Sequence, residues 1–259
     1  MTALVLLVTT LAASLPKAPP EDAGLSSARL ARIRASVERY VEREEISGAV
    51  TLVARRGRVV HLETHGYQDA VSKKKMPADA IFRIASMTKP ITSIAVMMLL
   101  EEGRFQLTDP VSKFIPEFKD AKVLVPTAPG EGTEPARLVP AAREITIQHL
   151  LSHSAGLANT YTGPTRDQFQ RWTGERKPED RIGDAVQRLA KLPLNFHPGT
   201  AWEYGPATDV LGRLVEVVSG QPFDKFLEAR IFRPLEMNDT FFYVPDVALP
   251  RLATNYVPA

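Results

Sequence analysis

Phe82-Arg-Ile-Ala-Ser-Met-Thr-Lys-Pro-Ile-Thr-Ser93 is the stretch on which the reading of this chain turns. A short apolar approach, Ile81 to Ala85, runs into a helix expected to extend to about Glu102, where Gly103 ends it. Ser86 opens that helix and Lys89 follows one turn on. Residues three apart on a helix lie on nearly the same face, so the Lys89 ammonium comes within reach of the Ser86 hydroxyl. A serine hydroxyl is a poor nucleophile until a base removes its proton, and a desolvated lysine can be that base. Backbone N–H groups at a helix start lack intrahelical partners and, with the positive end of the helix dipole, can donate to a developing oxyanion. Pro90 has no N–H and cannot bond back to the Ser86 carbonyl.

The spacing alone is weak evidence, because Ser-x-x-Lys occurs three times. Ser14 to Lys17 spans a proline and cannot form a stable helical turn. Ser72 to Lys75 sits in a lysine-rich turn. Only Ser86-Met-Thr-Lys89 follows an apolar run and opens an apolar helix. A capping serine beside a solvent-facing lysine is the competing reading of that pattern taken by itself.

Working outward, Ser26 or Ser27 caps a helix running toward Glu44, with Leu30, Ile33, Val37 and Tyr40/Val41 at helical spacing. Gly48 to Ala54 and Val59 to Leu62 are β-rich runs around Arg55-Arg56-Gly57-Arg58 and read as an antiparallel hairpin. Thr127 to Ala142, rich in Pro and Gly, reads as an exposed loop. A short helix is expected at Ile145 to Leu151, broken by Ser152-His-Ser-Ala-Gly156. Polar residues dominate 160 to 181. Further helices are expected at Ile182 to Lys191, at Ala207 to Ser219 with Gly220 as the stop, and at Pro222 to Arg230. Two early strands and many helices give an α+β body with an underfilled sheet.

The 259 residues are 44% hydrophobic, ample for a globular core, and no internal repeat or linker composition interrupts them. A net charge of +2 without a long basic stripe argues against nucleic acid, and Lys73-Lys74-Lys75 reads as a solvated turn. With no cysteine, disulfides, thiolate metal sites and cysteine nucleophiles are excluded. Ala3 to Leu15 is too short to span a bilayer, which takes about 20 residues. Residues 1–20 are expected to be a secretory leader, although positive residues before the apolar run are missing. The expected compartment is periplasmic or secreted, with the cytoplasm as the alternative. His149 and His153 are four apart as zinc ligands can be, but Leu150 stands where a glutamate would follow and no third ligand is evident, so both are expected to be structural. His61, His65 and His197 are isolated, and neither a G-x-S-x-G elbow, a phosphate loop nor a dinucleotide fingerprint occurs.

Several segments in order resemble the β-lactamase-like serine hydrolase superfamily, nearest its family VIII, class C β-lactamase-like carboxylesterases. Phe82 to Ser93 resembles their nucleophile segment. Leu150-Leu-Ser-His-Ser-Ala-Gly-Leu157 is similar to their Leu-Leu-Thr-His-Thr-Ser-Gly-Leu element, and Trp202-Glu-Tyr-Gly-Pro-Ala-Thr-Asp-Val-Leu-Gly212 to their second catalytic motif. Ile231-Phe-Arg-Pro-Leu-Glu-Met237 matches a further stretch, and the resemblance runs from about Gly24 to the last residue. It implies a β-lactamase/transpeptidase-like domain over 21–259. It further implies an acylated Ser86 with Lys89 as its partner and Tyr204 relaying a proton to the leaving group, with no metal and no cofactor. A neighbouring ammonium is expected to lower the Tyr204 phenol, and Lys89 and Tyr204 to titrate as a coupled pair.

The chain also departs from that pattern. β-Lactamases carry Tyr-x-Asn, whereas Pro206 stands two residues after Tyr204. The family's third motif lies on a strand well after the tyrosine. Trp172-Thr-Gly174 has suitable letters but precedes Tyr204, in what reads as a polar loop, and is taken as a decoy. Relatives continue beyond the position of Ala259, so the C-terminal strands are expected to be missing. The expected function is cleavage of a small-molecule, short-chain carboxylic ester. The alternatives are a β-lactamase or D-Ala-D-Ala peptidase-like amide hydrolase, and a catalytically incomplete fragment.

Overall fold

A computed structural model describes residues 15–126, 136–159, 161 and 163–256. The expected leader therefore lies largely outside the described residues. Two compact units are present, one formed by the chain up to Ile84 together with the segment from Asp239 onward, the other by Ala85–Asn238.

In the first unit, α1 (Ser27–Glu42) is capped by Ser26, whose Oγ accepts the Arg29 N–H at 3.3 Å. Strands β1 (Gly48–Arg55) and β2 (Arg58–Asp69) pair antiparallel as expected. Their turn places Arg56 at φ 53° and Gly57 at φ 68°. Two successive left-handed residues give the primed turn whose twist suits a two-residue hairpin. β2 runs well past Leu62, and its far end pairs with a short β3 (Lys74–Lys75), so the sheet has order β1-β2-β3. Gln68 Nε2 donates to the carbonyls of Pro250 and Leu252, each at 2.9 Å, which fastens the late segment to β2.

The second unit carries the main hydrophobic core. α2 (Thr88–Glu101) buries Thr92, Ala95, Val96 and Leu99, an i, i+3, i+4, i+7 stripe. It packs on α6 (Ala207–Ser219), whose Val210, Leu211, Leu214 and Val215 are likewise buried. Each such large apolar side chain contributes about 1.5–3 kcal/mol. Buried Thr92 satisfies its hydroxyl on the Thr88 carbonyl at 3.1 Å. α3 (Ile147–Leu151) and α5 (Ile182–Leu189) pack on α6, and Gly220 ends it as expected.

Three expectations are corrected here. β4 (Lys122–Val125) pairs antiparallel with β5 (Arg137–Pro140), so the end of the supposed Thr127–Ala142 loop is a strand, while 127–135 lie outside the described residues. The polar stretch contains α4 (Arg166–Gly174), and Trp172-Thr-Gly174 is its last turn rather than a loop. Phe169 and Trp172 are buried on it, ring against ring at 4.8 Å, and the Trp172 indole N–H donates to the Ala185 carbonyl at 3.2 Å. Two large aromatics outweigh a polar sequence. The last α-helix among the described residues is α7 (Phe223–Leu227), continued by a wider π-turn over Glu228–Phe232, where an α-helix from Pro222 to Arg230 was expected. Among the described residues no helix is long and apolar enough to cross a membrane.

Candidate active site

Ser86 lies one step earlier than the sequence implied. It sits in a 3-10 turn, Ala85–Met87, that leads into α2, and Pro90 falls in the first α-helical turn. The tighter turn accommodates a proline that could not have accepted a place deeper in the helix. Ala85, directly before the serine, is left-handed at φ 43°. Such a conformation in a residue with a Cβ costs of order 1–3 kcal/mol, and strain of this kind clusters at functional turns.

The second half of the site comes from the loop before α6. Because α2 and α6 pack with their N-terminal ends together, Tyr204 meets Ser86: the two oxygens, Oη and Oγ, are 2.5 Å apart. Lys89 Nζ donates to Ser86 Oγ at 3.2 Å and lies 4.5 Å from the centre of the Tyr204 ring. Thus all three sequence-derived residues converge. The Tyr204 phenol is held below its ordinary value, first by the Lys89 ammonium and then by Ser86. Half-buried Asp209, in the first turn of α6, opposes that shift, and its own carboxyl is pushed up by desolvation, with Arg176 and Lys89 pulling the other way.

His153 was expected to be structural, on a helix with His149. His149 fits that expectation, since its Nδ1 accepts the Thr146 N–H at 3.1 Å in a reciprocal cap of α3. His153 lies beyond the helix end, left-handed at φ 55°. Its ring stacks on Tyr204, with centroids 5.1 Å apart and planes inclined 28°, and meets Trp202 edge-on at 6.2 Å. Burial and then the Lys89 charge lower its pKa, which favours the neutral imidazole. The segment around it is bonded to the loop carrying Tyr204: Glu203 N–H donates to His153 O at 2.9 Å, Gly199 N–H to Ser154 O at 2.8 Å, and Asn195 N–H to Gly156 O at 2.7 Å. Gly156 has φ 77°, and a Cβ there would come within 2.3 Å of the Phe196 carbonyl oxygen.

Ser72 is elsewhere, its hydroxyl and N–H both bonded to Asp69 at 2.7 Å. A cavity of about 1010 Å³ lies in the first unit, lined by residues including Val41, Ile46, Tyr67 and Met76, and none of the three converging residues lines it. Among the described residues no group of three His, Asp or Glu side chains is placed to hold a metal ion.

The beta-lactamase family model matches residues 33–259. The chain belongs to this family. Among relatives, esterase EstB of Burkholderia gladioli is 34% identical over 227 residues, 86% of this chain and 54% of EstB. Lovastatin esterase of Penicillium rubens is 33% identical over 207 residues, 78% of this chain and 50% of that enzyme. The solved structure of EstCE1, a hydrolase with promiscuous acyltransferase activity, superposes with a TM-score of 0.72 at 32% identity, covering 88% of this chain and 57% of EstCE1. The chain therefore spans about half the length of the curated relatives it matches. Within this β-lactamase-family chain, sequence reasoning missed His153 and Asp209 as neighbours of Tyr204. The available signal was that both lie inside the two segments whose resemblance to the family was legible, the Leu150 to Leu157 element and the Trp202 to Gly212 element.

Proposed function

We propose that this protein is a serine hydrolase that cleaves short-chain carboxylic esters through an acyl-Ser86 intermediate. The observation that carries the reading is Ser86 Oγ held between Lys89 Nζ at 3.2 Å and Tyr204 Oη at 2.5 Å. Ser86 Oγ attacks the ester carbonyl carbon while its proton passes to the Lys89–Tyr204 pair, which shares the base role. The carbonyl electrons move to oxygen, where the Ser86 N–H at the start of the helical segment donates to the oxyanion. Collapse breaks the bond to the alkoxy group, which leaves as the alcohol with a proton from Tyr204 Oη. Water then attacks the acyl carbonyl, gives a proton to the same pair, and Ser86 leaves reprotonated as the carboxylic acid is released.

Ester rather than amide specificity is supported by Pro206, buried where amide-handling relatives are expected to carry asparagine. A site built to hydrogen-bond a substrate amide discriminates strongly, and a site without that group cannot. The test compares kcat/KM for p-nitrophenyl butyrate with that for a chromogenic cephalosporin. The ester value is expected to be far larger, and a larger cephalosporin value replaces the reading with an amide-directed one.

A further inference from the structure

We propose that His153 is a positioning residue for Tyr204: its imidazole ring holds the phenol in the orientation that puts Oη on Ser86 Oγ. This rests on the reading of Ser86, Lys89 and Tyr204 as the catalytic set.

The ring is delivered to Tyr204 by the backbone. α3 ends with His153 N–H on Leu150 O at 3.2 Å and Ser154 N–H on His149 O at 2.8 Å, and the chain then turns through a left-handed His153. In that conformation the His153 carbonyl accepts the N–H of Glu203, the residue immediately before Tyr204. One residue thus grips the tyrosine twice, through the backbone of its predecessor and through the face of its ring. Trp202 closes another side of the imidazole edge-on.

No hydrogen bond within the described residues holds the imidazole through its Nδ1, which is buried. An unsatisfied buried nitrogen is a cost that a folded chain rarely retains without a reason. The ring contacts that remain are the stack on Tyr204, at an ordinary separation for an aromatic pair, and the edge-on Trp202. Neutrality suits this task. An imidazolium here would repel the Lys89 ammonium and displace it from both Ser86 and the phenol, and burial together with Lys89 disfavours that form.

Two readouts test the proposal on His153→Ala, His153→Gln and His153→Phe. The first is the titration of Tyr204 by NMR on protein labelled at tyrosine Cζ, with Tyr204→Phe assigning the resonance. The second is kcat and KM for p-nitrophenyl butyrate. In the Ala and Gln variants the Tyr204 midpoint should rise by roughly one pH unit, within the usual spread of protein environments. Their kcat should fall about 10–100-fold, part of what a positioned acid–base group provides, with KM within about twofold. Phe, which keeps a ring but no nitrogen, should recover most of both losses. An unmoved Tyr204 titration in the Gln variant overturns the proposal, as does a Phe variant as impaired as Gln. Should the Ala variant fail to fold by circular dichroism, the contrast of Phe with Gln decides alone. If Ser86→Ala retains ester turnover, the catalytic reading falls instead, while the Tyr204 titration still reports whether His153 positions the phenol.

Discussion

Ser86 Oγ and Tyr204 Oη lie 2.5 Å apart although 118 residues separate them in the chain. Ser86 is placed by the turn that precedes α2, Tyr204 by the loop that precedes α6, and the packing of α2 on α6 joins them. Lys89 needs no such assembly, because helical spacing alone carries it to Ser86.

Chemical labelling distinguishes the serines. A fluorophosphonate probe should modify Ser86 and leave Ser72 untouched, because the Ser72 hydroxyl is committed to Asp69 and, among the described residues, no lysine or tyrosine is hydrogen-bonded to it. Ser86→Ala should abolish labelling and ester turnover, and Ser72→Ala should leave both intact. Mass-spectrometric location of an adduct on another serine overturns the assignment.

Removing either partner of Ser86 should slow turnover with little loss of stability, since both side chains are partly solvent-exposed. Lys89→Ala and Tyr204→Phe are each expected to lower kcat by about 10²–10⁴-fold. The double variant should be scarcely worse than the poorer single one, because residues acting as a unit are not additive. Multiplicative losses across the four proteins show instead that the two act independently.

Acid should weaken the second unit through its two partly buried histidines. His149 and His153 both have folded pKa values below the ordinary value near 6.5, through burial first and then Arg143 and Lys89 respectively. The unfolded chain then binds more protons in that window, so their contribution is fully present above about 6.5 and is lost as pH falls toward the folded values. The urea midpoint should be lower at pH 5 than at pH 7.5, and His153→Phe should shrink the difference. An equal drop in both proteins rules His153 out as a source.

Gly156→Ala should damage the site from a distance. The added Cβ would overlap the Phe196 carbonyl oxygen at 2.3 Å in a left-handed backbone, so the 153–156 segment must shift. The expected cost is about 1–3 kcal/mol, together with a loss of ester turnover, because the same segment carries His153 against Tyr204. Unchanged denaturation and kinetics in this variant exclude the coupling of the two loops.

What was legible in the sequence was local. The Ser86–Lys89 pairing follows from a spacing of three across a helical turn, which the chain realises as a 3-10 turn entering α2. α6 begins and ends where its apolar period and Gly220 place it, and the β1–β2 hairpin is written in two β-rich runs around Arg56-Gly57. Tyr204 was found through the resemblance of its segment to a known motif, not through any property of the residue. The tertiary structure decided the rest. β5 has few strand signals of its own and exists because β4 offers its backbone a partner. α4 is polar along most of its length and is held by the burial of Phe169 and Trp172. His153 reads as half of an i, i+4 histidine pair, yet a left-handed turn after α3 separates it from His149 and sets it on Tyr204. Propensity and period act within a turn or two of chain, whereas strand pairing, aromatic burial and the meeting of two loops depend on contacts that form only when distant segments pack.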